Sequence, residues 1–160
     1  MAAGPLVTEN AAEFRDALPD GGVLLGLDLG TKTIGTALCD AHWNFATAAK
    51  TLAKGKFARD RAALEEIVAA RRVTGIVIGL PLNMDGSAGP RAQASRSFAR
   101  NLTAIGLPVL LWDERWSTTS AERDMIAQDF SRRKRAERID SHAAAVILQG
   151  AIDRLAGGIL

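Results

Sequence analysis

The segment Val23-Leu24-Leu25-Gly26-Leu27-Asp28-Leu29 constrains this chain more than any other. It is a near-continuous apolar run of strand length, which suits a central strand buried on both faces. It also holds a carboxylate, Asp28, between two leucines. Burying that group is costly unless it is paired, hydrogen-bonded or bound to a cation. One reading satisfies it with backbone N–H groups from the Gly30-Thr31 turn; the other gives it chemistry.

The rest of the chain reads outward from this strand. The first 21 residues read as an extension, closed by the turn-like Pro19-Asp20-Gly21-Gly22. After Gly30-Thr31-Lys32, residues Thr33 to Leu38 and Phe45 to Leu52 form two more strands around a turn at Asp40 to Asn44. Connections this short imply antiparallel pairing, hence a three-stranded meander. The period then becomes helical, with Phe57, Leu64, Ile67 and Val68 on one face. Ile76-Val77-Ile78 is a buried strand, and Leu82 to Pro90 is a loop rich in turn residues. A helix follows with Ala94, Phe98, Leu102 and Ile105 on its stripe, then a last strand, Val109 to Trp112. Thr119 and Glu122 make a capping box that starts another helix. The basic segment Ser131 to Arg138 reads as a loop before a closing helix that carries Ile139, Ala143, Val146, Ile147 and Ala151.

The order β-β-β-α-β-α-β-α-α predicts parallel strands with right-handed crossovers in its second half. The expected fold is α/β, a mixed five-stranded sheet with helices on its faces, over residues 22–156. Its length of 160 residues fits one domain, and 48% hydrophobic with 24% charged residues argues against disorder, collagen or coiled coil. No apolar run reaches the roughly 18–20 residues that span a bilayer. Glu9, Glu13, Arg15 and Asp16 stand where a signal peptide would be apolar, so a soluble cytoplasmic protein with no membrane partner is expected. A single cysteine, Cys39, excludes an intramolecular disulfide and a Cys-based zinc cluster.

Two further acids have positions comparable to that of Asp28. Asp113 and Glu114 directly follow a strand at its carboxyl end, where open α/β sheets gather ligands. Asp140 is expected in the first turn of the last helix, where an acid also suits the helix dipole. Each acid alone has a bland explanation, but three on elements that could converge at one sheet end do not share one. Converging carboxylates repel, and a divalent metal resolves that conflict. Oxygen ligands are what Mg²⁺ and Mn²⁺ prefer. Two such ions about 4 Å apart activate a water and stabilise the leaving oxygen in phosphodiester cleavage. There is no H-E-x-x-H motif to favour zinc.

Four stretches together resemble the YqgF family: Asp28-Leu29-Gly30-Thr31-Lys32-Thr33-Ile34-Gly35, Gly79-Leu80-Pro81-Leu82-Asn83-Met84-Asp85-Gly86, Asp113-Glu114-Arg115-Trp116-Ser117-Thr118, and Asp140 through Leu148. The likeness runs from about Val23 to Leu155. It implies a bacterial protein with a ribonuclease-H-like fold. It also implies a metal-dependent nuclease for the 5′ end of pre-16S rRNA in ribosome biogenesis, with Asp28, Glu114 and Asp140 as the catalytic, metal-binding acids and two Mg²⁺ or Mn²⁺ ions. The implied partners are structured RNA in the small-subunit precursor, or branched DNA if the activity is that of a Holliday junction resolvase. A resolvase cuts two symmetric strands and would work as a two-fold dimer; an rRNA nuclease need not. Trp116 and His142 depart from the residues usual in the family at their positions, and His142, two positions past Asp140, is read as structural.

The remaining candidates have two readings each. Lys32 either meets a phosphate or is a solvated turn residue. Asn83 and the Gly86 loop either close over substrate or form a surface turn. Arg115 either binds phosphate or pairs with Asp113 and holds Glu114 in place, the second being favoured. Arg132, Arg133, Lys134, Arg135 and Arg138 either attract a phosphate backbone or are a solvated loop. Asp28-x-Gly30-Thr31 also resembles the first phosphate loop of the actin, Hsp70 and sugar-kinase ATPases, but those need two domains around the nucleotide. A non-catalytic nucleic-acid-binding factor would be expected to have lost one of the acids, and none is missing.

Overall fold

The computed structural model describes residues 6–116 and 132–157. Its elements are β1 (Val7–Thr8), α1 (Ala11–Ala17), β2 (Val23–Leu29), β3 (Thr33–Cys39), β4 (Ala46–Ala53), α2 (Phe57–Arg71), β5 (Val73–Leu80), α3 (Pro90–Leu102), β6 (Val109–Asp113) and α4 (Arg132–Ala156). The strands form one mixed sheet in the order β1-β6-β5-β2-β3-β4. β2, β3 and β4 are the expected antiparallel meander, while β5 and β6 run parallel to β2. Among the described residues, no helix is long and apolar enough to cross a membrane.

The sheet has six strands rather than five. Val7–Thr8 pairs parallel with Val109–Leu110, and α1 then buries Phe14 completely. A two-residue strand lies below the reach of hydrophobic periodicity. The capping signal was there, however: the Asn10 side chain accepts a hydrogen bond from the Glu13 N–H at 3.1 Å.

Side-chain alternation along the central strands divides the core into two clusters. Leu25, Leu27, Leu29, Ile76, Ile78, Val109 and Leu111 face one way, with Leu64, Phe98 and Leu102 from α2 and α3. Leu24, Val77, Leu110 and Trp112 face the other way, with Phe14 of α1 and Ala144, Ile147, Leu148, Ala151 and Ile152 of α4. Pro90 opens α3, where its fixed φ and missing N–H cost nothing. The buried stripe of α3 is Ala92, Ser95, Phe98, Ala99 and Leu102. Ala94, expected on it, is exposed.

The basic segment is helical rather than a loop, because α4 already includes Arg132. Arg, Lys, Ala and Glu are good helix formers, and like-charge pairs three or four residues apart cost a helix only about 0.2–0.5 kcal/mol each. Asp140 therefore lies inside the helix, not in its first turn. The helix expected from Thr119 lies outside the described residues.

Candidate active site

Asp28 is the penultimate residue of β2 and is half-buried. It shares its face with Gly26, two residues earlier. A β-carbon on Gly26 would lie 2.7 Å from the Leu148 Cβ and 3.1 Å from the Ala144 carbonyl oxygen. That glycine lets α4 press against the sheet, and it fixes the face of Asp28 as the α4 face.

β2 and β5 run in parallel register through Leu27 and Ile78, so the next step sets Gly79 beside Asp28. A β-carbon on Gly79 would lie 3.0 Å from both Cγ and Cδ of Glu114 and 2.5 Å from the Ile147 Cδ1. Glu114, in the short 3-10 turn that follows β6, thus lays its side chain over Gly79. It reaches from β6 across β5 towards the strand that carries Asp28.

Gln149 orients α4. Its side chain accepts from the Ala46 N–H at 2.8 Å and donates to the Asn44 carbonyl at 3.1 Å, next to the amino end of β2. The earlier turns of α4 therefore lie towards the carboxyl ends of β2, β5 and β6. Asp140 stands one turn before Ala144 on this helix, and Arg132, Arg133, Lys134, Arg135 and Arg138 stand before it. These six are placed by their backbone. Among the described side chains no group of three His, Cys, Asp or Glu residues could hold a metal. Asp28 and Glu114 are the pair brought to this end. His142 is half-buried, and its Nε2 is enclosed with no hydrogen-bond partner among the described residues.

Asp113 ends β6 rather than following it, and its carboxylate is clasped by Arg115. The guanidinium Nη2 donates to Oδ2 at 2.7 Å, Nε to Oδ1 at 3.0 Å, and the Arg115 N–H to Oδ1 at 3.0 Å. These donors hold the Asp113 carboxyl below the usual carboxylate range, against a burial effect that would raise it. Nη1 of Arg115 also donates to the Met84 carbonyl at 3.3 Å, tying the loop after β5 to the turn that carries Glu114. The pairing reading of Arg115 is the geometry found. Because the Asp113 carboxyl is lowered, the clasp stabilises the fold above the ordinary carboxylate pKa of about 3.9 and is lost as pH falls through the lowered value. An Arg115→Gln variant is expected to melt a few degrees below the parent at pH 7, with the difference shrinking towards pH 3. A gap that does not vary with pH in thermal melts would contradict the clasp.

Asn83 is exposed and braces its own loop, donating to the Ser87 hydroxyl at 2.9 Å. Lys32 is exposed on the turn after β2. Trp43 and Trp112 are buried in the core, and the Trp43 indole N–H donates to the Gly22 carbonyl at 2.9 Å. Two cations escaped the sequence reading. Lys54 Nζ donates to the Gly30 carbonyl at 3.2 Å, and Arg91 Nη2 donates to the Leu29 carbonyl at 2.9 Å. Both cap the carboxyl end of β2 from distant points of the chain, and no local pattern marks them.

Known proteins similar to this chain bear on its family and fold. The family model RuvX, described as Holliday junction resolvase, matches residues 22–154. A relative from Novosphingobium aromaticivorans, named as a candidate pre-16S rRNA nuclease, is 68% identical over 95% of this chain and 98% of its own. One of the same name from Sphingopyxis alaskensis is 63% identical over 94% and 99%. Among solved structures, RuvC of Thermus thermophilus in complex with a Holliday junction substrate aligns with a TM-score of 0.53 at 13% identity, over 82% of this chain and 94% of that one. At that identity the likeness bears on the fold, which is the ribonuclease-H-like arrangement expected from the motifs.

Proposed function

The chain belongs to the RuvX family, the one its motifs resemble, and on that premise we propose that it is a divalent-metal nuclease that trims the 5′ end of pre-16S rRNA. One observation carries the nuclease reading: Glu114 lies over Gly79, beside the Asp28 position, on the face that α4 covers. Two carboxylates on one face at the carboxyl ends of parallel strands are a hard-oxygen donor set, which fits Mg²⁺ or Mn²⁺. Asp28 and Glu114, with Asp140 from α4, would hold the metal. When bound, two such ions supply Lewis-acid stabilisation of the charge on the scissile phosphate and on the leaving oxygen.

The chain's own residues do the positioning. The clasp between Asp113 and Arg115 fixes the turn that aims Glu114. Gly79 leaves open the lane that its side chain occupies. The cations at Arg132, Arg133, Lys134, Arg135 and Arg138 stand on α4 just before Asp140, where phosphate contacts would add affinity without reading bases. Lys32 and the Asn83 loop flank the same end. The substrate reading rests on the two close relatives, whose names give pre-16S rRNA. Acting on a ribosomal precursor would place the protein in the cytoplasm.

A second reading, cleavage of four-way DNA junctions, is favoured by the family's description. The two are separated by depleting the protein and measuring the 5′ end of 16S rRNA, beside a cleavage assay on synthetic junctions. Depletion is expected to accumulate 5′-extended 16S rRNA, and the purified protein is expected to leave the junctions uncut. Normal 5′ ends with cut junctions would reverse the choice.

A further inference from the structure

On the opposite face from Asp28, at the same strand end, a cavity of about 150 Å³ is lined by Leu29, Gly30, Thr31, Lys54, Arg91 and Ser95, with Pro90 and Ala94 at its α3 side. Its lining holds two cations and no carboxylate. Neither Lys54 nor Arg91 has a salt-bridge partner among the described residues. Each gives one donor to a carbonyl of the β2 end, at 3.2 Å and 2.9 Å, which steers the cation to the cavity. That leaves two further donors on the ammonium and four on the guanidinium. Ser95 is only 2% exposed and lines the cavity, so it stands on the cavity wall with a hydroxyl able to donate to a ligand. The amino end of α3, with Pro90 and Arg91, forms one wall of the cavity, and its helix dipole favours negative charge there.

We propose that this cavity binds one backbone phosphate of the nucleic acid, close to the phosphate that is cleaved. The proposal rests on the nuclease reading for its ligand. Asp28 directly precedes Leu29-Gly30-Thr31, so a strand crossing the sheet end passes from the acids on the α4 face to the cations on the α3 face. Lys54 and Arg91 supply the charge, Ser95 a hydroxyl donor, and the carbonyls of Leu29 and Gly30 hold the cations in place. A phosphate gripped here would set which phosphodiester along the strand lies at Asp28.

The test is binding of a fluorescein-labelled single-stranded RNA oligonucleotide, read by anisotropy in EDTA so that no turnover is needed. Lys54→Gln and Arg91→Gln should each weaken binding at low salt and flatten the plot of log affinity against log salt by about 0.7 for one lost phosphate contact. Lys54→Arg and Arg91→Lys should keep the slope. Ala94 is exposed on α3, so Ala94→Glu should fold normally, and its carboxylate should repel the phosphate. In the parent, a neutral methylphosphonate at one position of the oligonucleotide should weaken binding; in Arg91→Gln the same replacement should change little. Unchanged slopes in all three charge-altering variants, with melting temperatures like the parent, overturn the cavity's role. Displacement of the RNA by inorganic phosphate beyond a sodium chloride control of equal ionic strength would assign the cavity to the free ion and overturn the backbone reading. A parent that binds no RNA would instead overturn the proposed function.

Discussion

Asp28→Asn is expected to lower cleavage by about a thousandfold or more while the protein folds as well as the parent. The substitution keeps the size of the side chain and removes one charge from the proposed metal site, next to the lane that Glu114 occupies over Gly79. Loss of one metal ligand forfeits several kcal/mol of stabilisation of the transition state, and each 1.4 kcal/mol is about tenfold in rate. Stability should be equal or higher, because two carboxylates on one face repel when no metal lies between them. The parent should be inactive in excess EDTA and recover when Mg²⁺ or Mn²⁺ is restored. Single-turnover cleavage and thermal melts on one preparation separate the two effects. Near-parent turnover in the variant would make Asp28 a structural acid that accepts backbone N–H groups from the Gly30-Thr31 turn. Full cleavage in metal-free EDTA would remove the mechanism altogether.

The sequence showed the central elements well because their burial imposes a period. Val23–Leu29, Ile76–Ile78 and Val109–Trp112 are apolar on both faces, and only a covered strand tolerates that. It showed the acids because a carboxylate in such a strand needs an explanation. Features governed by contacts between distant residues did not show. Val7–Thr8 is a strand only because β6 offers it an open edge. The charges of Arg132 to Arg138 looked like solvated loop, yet helix propensity depends on how little side-chain rotamer freedom a residue loses more than on its charge. Lys54 and Arg91 carry no local mark, since their position follows from the meander and the crossover meeting at one strand end. Gly79 was legible as part of a motif, but its reason was not. Only the packed structure shows that Glu114 and Ile147 both press on the space a side chain would fill.

That space makes Gly79→Ala the second large effect. The added methyl would lie 2.5 Å from the Ile147 Cδ1 and 3.0 Å from Cγ and Cδ of Glu114. Contacts this short must open, and both neighbours are the ends of flexible side chains. Ile147 can turn within the core between α4 and the sheet, at an overpacking cost of about 1–3 kcal/mol. Glu114 can move only by lifting its carboxylate away from β5, and so away from the lane that leads to Asp28. A misplacement of about 1 Å at a reacting centre costs on the order of a hundredfold in rate. Gly79→Ala should therefore lower turnover by about that factor, with a modest drop in melting temperature. Ile147→Val separates the two causes, because it removes the Cδ1 carbon that meets the new methyl and leaves Glu114 alone. The double variant should regain much of the lost stability and little of the lost turnover. If turnover returns with stability, the damage ran through α4 and the packing beneath Asp140, and Glu114 does not need the open lane over Gly79.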